Sequence, residues 1–243
     1  MRALRILLIA VVILGGLFVG ADRLAVYFAE DEAAGRVQST EGLTRKPDVS
    51  IKGFPFLTQL AGGELDDVEL GIATYQVPTG GGEQIRIDDL TANMKGVEFS
   101  GDFSSATAAT ATGSATIAYA ELLKAARSEP TEIAPGITAR VTGLSDGGDG
   151  KIKVAVEVEA PVIGTRDLSV LSTVRVDGDN VEVRTDSLPE LAGVDLAESA
   201  IRQITDFQQV IDSLPGGVRL DRVQAAADGV EISVKGSDVR LAG

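Results

Sequence analysis

The chain opens on an apolar run with a charged flank. Arg2 and Arg5 precede it, Ile6 to Ala21 carry no charge, and Asp22 ends it. A positive segment followed by an apolar one is the layout of an export signal. As a helix the run would be about 24 Å long, short of the roughly 30 Å hydrocarbon core of a bilayer. Small residues at 19-VGA-21 fit a signal-peptidase site before Asp22. Residues 1–21 are therefore either a cleaved signal peptide or a retained N-terminal membrane anchor. Either way the bias of Arg2 and Arg5 leaves residues 22–243, read as one domain, on the extracytoplasmic side.

Beyond the run the period changes. From Asp22 to Gln38, Leu24, Tyr27, Phe28, Ala34 and Val37 fall near one face of a helix, with Asp31 and Glu32 largely opposite; Gly42 and Pro47 close it. The long middle alternates with period two: Val49 and Ile51, then Val68, Leu70 and Ile72, then Ile85 and Ile87, then Val97 and Phe99. Later sets are Val154, Val156 and Val158, then Leu168 and Val170, Val174 and Val176, and Val181 and Val183. Gly-rich connectors lie between them, and 146-DGGDG-150 and 177-DGDN-180 read as hairpin turns. The small-residue tract Ser104 to Thr116 is either a plain edge strand or a mobile loop, and a short helix is predicted around Tyr119 to Arg127.

A second long helix is predicted from Asp195, where Glu198 gives capping-box spacing. Leu196, Ala200, Ile201, Ile204, Phe207, Ile211 and Leu214 make its stripe, and 215-PGG-217 stops it. Strands follow at Val218 and Leu220, Val230 to Val234, and Val239 to Leu241. The sum is an α+β fold: a strongly curved antiparallel sheet wrapped around long helices.

Composition removes whole classes of chemistry. The chain has no cysteine and no histidine, so thiol nucleophiles, Ser-His-Asp arrangements and the common zinc sites are excluded, and neither metal nor cofactor is called for. The formal charge is −14, and losing Arg2 and Arg5 with the leader would take it to −16. Such a surface repels nucleic acid, and it repels an anionic membrane unless a local cluster or a buried pocket offsets the charge. The paired acids Asp66–Asp67 and Asp88–Asp89 point to opposite faces of a strand, so they do not converge as an acid–base pair without a bulge.

The unusual segment is 53-GFPFLTQL-60, where Phe54 and Phe56 flank Pro55 and Leu57 and Leu60 follow at helical spacing. Pro55 holds the chain extended and then turns it, so the rings either close the core or line an opening.

With the Asp22–Arg23 pair, the 51-IKGFPFLTQL-60 block and the Leu-Pro-x-Gly-Val element from Leu214 to Val218, the chain resembles the actinobacterial LmeA-like phospholipid-binding proteins of the cell envelope. The resemblance implies an exported, membrane-associated, non-enzymatic protein with a tubular lipid-binding fold like that of the bactericidal permeability-increasing family. It also implies phospholipid as ligand, a phosphoinositide among the candidates, and support of lipoglycan synthesis by a membrane glycosyltransferase. It assigns no binding residue. The residues themselves offer Phe54, Phe56, Leu57 and Leu60, with Ile204, Phe207, Ile211 and Leu214, as the walls or lip of an acyl-chain slot, and Arg45 and Lys46 as contacts for a phosphate. Two other readings compete with a lipid slot. One is a scaffold steadying a membrane enzyme, with a closed core. The other is a glycan-acting enzyme, which needs two acids converging about 5–9 Å apart.

Overall fold

The computed structural model describes residues 2–78, 84–102, 105–125, 130–161, 164–177, 180–187, 206–210 and 217–242. Among these residues the strands form two six-stranded sheets, antiparallel throughout. The first (sheet A) has β1 (Asp48–Lys52), β2 (Glu64–Pro78), β3 (Gln84–Phe99), β4 (Ala106–Ala118), β12 (Gly229–Ala242) and β11 (Val218–Ala225), in that spatial order. The second (sheet B) runs β10 (Phe207–Val210), β9 (Asn180–Ser187), β8 (Gly164–Asp177), β7 (Lys151–Ala160), β6 (Ile137–Asp146) and β5 (Thr131–Ala134). Among the described residues three helices accompany them: α1 (Arg2–Thr40), α2 (Phe56–Gly62) and α3 (Tyr119–Ala125).

The period-two sets each lie on a strand, and the two turns join antiparallel neighbours, β6 to β7 and β8 to β9. Along β7, Ile152, Val154, Val156, Val158 and Ala160 are buried while Lys153 and Glu159 are exposed. Sheet B is strongly curved, an open half-barrel, and its register shifts at Glu132/Ala134, Val141/Gly143 and Leu171/Ser172. Each shift places an extra residue on one strand, which bends it and steepens the twist. The hollow of sheet B is filled by Val156, Val158, Val170 and Val174 together with Leu220, Val223 and Val230 from sheet A and Tyr119 from α3. A second apolar cluster lies where α1 and α2 meet sheet A: Val26, Ile51, Phe56, Leu65, Val97, Ala108 and Val239.

The helix expected from Asp22 follows the leader directly, and α1 runs through both without a break from Arg2 to Thr40. Two expectations are corrected. The small-residue tract is neither an edge strand nor a loop: β4 lies between β3 and β12 in the interior of sheet A. Its lack of bulk is what admits it there, since a Cβ on Gly113 would meet Thr91 O at 3.0 Å and Val234 Cγ2 at 3.1 Å. The helical stripe through Phe207 gives way to a strand, with Phe207 opposite Val183 and Val210 opposite Asn180. The open edge of β9 offers these four residues ladder hydrogen bonds, which outweigh a weak local helix preference. Residues 195–205 and 211–214 of that predicted helix, with Ile204, Ile211 and Leu214, lie outside the described residues.

Candidate functional site

The block after β1 turns on Gly53, which has φ +94. A cis peptide bond joins Phe54 to Pro55, and α2 begins at Phe56. The turn sends the two rings to different places: Phe56 is 3 % exposed within the second cluster, whereas Phe54 is 57 % exposed. Leu57 and Leu60, on α2, are half-buried and pack against the same cluster, as do Val68 and Met94 from the apolar face of sheet A.

Pro55 leaves α2 without a capping side chain of its own, and α1 supplies one from 35 residues upstream. Asp22 is fully buried, and its Oδ1 accepts the Leu57 N–H at 2.8 Å. That carboxylate satisfies one of the donors a helix N-terminus leaves unpaired and complements its positive end. Arg23 donates to Asp22 Oδ2 at 2.6 Å and to Gly53 O at 3.4 Å, and its guanidinium lies over the Phe54 ring, 5.2 Å from the centroid. Two turns further along α1, Glu30 Oε1 accepts the Ile51 N–H of β1 at 2.7 Å. Burial opposes the ionised form of Asp22, but the Leu57 N–H, the Arg23 guanidinium and the Phe56 N–H outweigh it, so this carboxyl titrates below the ordinary aspartate value. The Asp22–Arg23 pair and the aromatic block are therefore one interlocked unit.

The face of α1 that meets the domain is not the aromatic one. Asp22, Val26 and Ala34 are buried, with Ala25 and Ala29 packed beside Val26, while Leu24, Tyr27 and Phe28 are 61–66 % exposed. Small residues let the helix approach α2 closely enough for Asp22 to reach its N-terminus, and bulky ones would hold it off. Period alone put Leu24, Tyr27 and Phe28 on one face; the buried acid that decides which face turns inward carried no apolar signal.

The remaining candidates are dispersed. Lys46 is ion-paired with Asp31, about 14 Å along α1 from Asp22, so Arg45 and Lys46 stand well away from Phe54. Phe207 belongs to the edge strand of sheet B, not to the sheet beside the block. On the polar face of sheet A the sequence reading missed a shallow concavity of about 620 Å³, lined by Ser50, Thr91, Asn93, Thr112, Ser114 and Ser233 among others. Its lysine, Lys235, is ion-paired with Asp221. Leu70, Ala92 and Val234 line it beside those polar groups. The acid pairs do not form a two-acid site: Asp67 accepts from Asn93 Nδ2 and Asp88 from Arg86 Nε. Among the described residues no group of three or more acids is placed to hold a metal ion.

Comparison with curated proteins and with solved structures gave no match. Residues 20–235 match the family described as LmeA-like phospholipid-binding. The match starts just ahead of Asp22 and so takes in both halves of the interlocked unit. With that coverage the chain belongs to the LmeA-like phospholipid-binding family, and is a non-catalytic, phospholipid-binding protein of the cell envelope.

Proposed function

We propose that the apolar run of α1 is retained as a single membrane span and that the domain holds phospholipid acyl chains on the apolar face of sheet A beside α2. The observation that carries the slot is the incomplete cover of that face. Phe56, Leu65 and Val97 close one end of it, while Leu57, Leu60, Val68 and Met94 stay half-buried. Retention is supported by Asp22: a cut before it would fall inside a continuous helix, at a residue whose side chain is wholly enclosed.

Each methylene taken from water is worth about 0.8 kcal/mol, roughly 13 kcal/mol for sixteen. A lipid in a bilayer already enjoys most of that, so such a slot exchanges lipid with the membrane at nearly level free energy rather than drawing it from water. Arg23, half exposed above Phe54, supplies a guanidinium for the phosphate at the mouth. A phosphoinositide as the lipid, and a membrane glycosyltransferase of lipoglycan synthesis as the partner it serves, are the finer readings that the family relationship favours.

Native mass spectrometry of the full chain released from detergent tests the slot. A single phospholipid should co-purify, and Leu60→Asp, with an unchanged circular dichroism spectrum, should lower its occupancy several-fold. A folded chain that carries no lipid and takes none from labelled vesicles would sink the slot.

A further inference from the structure

We infer that Leu24, Tyr27, Phe28 and Phe54 form an aromatic collar that seats the domain in the headgroup layer of the bilayer spanned by α1. The inference rests on the proposed span and is independent of the slot. All four side chains are 57–66 % exposed, and Phe54 is joined to α1 by the Arg23 guanidinium over its ring. Leu24, Tyr27 and Phe28 share one stripe of α1 by their spacing, and the Tyr27 and Phe28 rings meet edge to face with centroids 5.8 Å apart.

Length says what covers the stripe. The uncharged run from Ile6 to Ala21 falls about 6 Å short of a bilayer's hydrocarbon core, the rise of four helical residues. Because α1 does not break at Asp22, it carries on from the outer edge of the hydrocarbon core into the headgroup layer, where Leu24, Tyr27 and Phe28 follow within about 11 Å of Ala21. That is where aromatic side chains concentrate in spanning proteins.

Charge agrees. Between Ala21 and Ala29 the only charged side chains are Asp22, which is buried and paired, and Arg23, which lies over Phe54. The first exposed acids on the helix are Asp31 and Glu32, about 15 Å beyond Ala21. Along α1, then, the stripe of Leu24, Tyr27 and Phe28 carries no exposed acid. The span brings the stripe to headgroups in every copy, so no second protein is needed to cover it.

The chain contains no tryptophan, so single tryptophans report position cleanly. Phe28→Trp, Phe54→Trp and Tyr75→Trp would be placed in the full chain, in vesicles of phosphatidylethanolamine and phosphatidylglycerol with brominated acyl chains. Tyr75 is the control: its hydroxyl donates to Glu41, and Glu41 lies about 28 Å along α1 from Asp22. Residues seated at the interface should be quenched about twofold or more at positions 28 and 54, with position 75 unchanged. Tyr27→Trp gives a second reporter on the stripe if Phe28→Trp folds poorly. Quenching at position 54 alone would mean that lipid reaches Phe54 within the protein, which overturns the collar and leaves the slot standing. Quenching at neither position overturns the collar whatever the lipid count by mass spectrometry.

Discussion

At Gly53 the backbone leaves β1 in a conformation that side chains disfavour, and an added Cβ would lie 2.4 Å from Gln59 Nε2 and 2.7 Å from Asp66 Oδ2. Gly53→Ala should therefore cost about 1–3 kcal/mol and disturb the Gln59 bond to the Asp66 N–H. Gly35→Ala is the contrast, mid-helix with nothing within 4 Å of the new Cβ, and should stabilise by up to about 1 kcal/mol. Thermal melts of the two variants moving in the same direction would contradict this account of the turn. The residues of the block were legible in the sequence as an anomaly, two phenylalanines around a proline. Which ring is buried was not. That depends on the turn at Gly53 and on a carboxylate more than thirty residues upstream, and neither leaves a trace in local periodicity.

Among the elements, strands with alternating β-branched residues were readable because one face of each is buried and the other is wet. Strand β4 was not, since a run of alanine, threonine and glycine has no alternation to read, and its place is set by what its neighbours leave room for. Gly113→Leu should cost about 1–3 kcal/mol by forcing Thr91 and Val234 apart, and would show as a lowered melting temperature. Unchanged stability would mean that sheet A is looser around β4 than its spacing implies. Strand β10 failed for the opposite reason: Phe207 fits a helical stripe, and only the open edge of β9 makes a strand of the residues around it. Helix α1 was half legible. Its apolar run and the helix that follows it directly were both visible, but the charged pair at 22 and 23 reads as a boundary, and its service as a fastening to α2 was not.

Across the whole molecule, acid sensitivity should follow from carboxylates distributed over both sheets and the helix. The Lys151 and Thr173 hydrogen bonds hold Asp186 below its ordinary value in sheet B, and the Lys235 hydrogen bond does the same for Asp221 in sheet A, with Asp22 at the α1–α2 junction a third. A carboxyl whose pKa is lowered by folding contributes stability that is fully present above the unfolded value and is lost as the pH falls through the folded one. The melting temperature should stay level from neutral pH to about 5 and drop below about 4. Asp22→Asn should lower it at neutral pH and flatten the acid decline; a decline as steep as that of the unaltered chain would remove Asp22 from the account. At this scale the unbroken α1, fastened through Asp22 and Glu30, has a mechanical consequence. It contains no swivel. On the proposed retention, a domain rigidly continuous with its own mast would have a fixed reach and a fixed heading, a stationary post serving the patch of bilayer at its foot rather than a carrier between membranes.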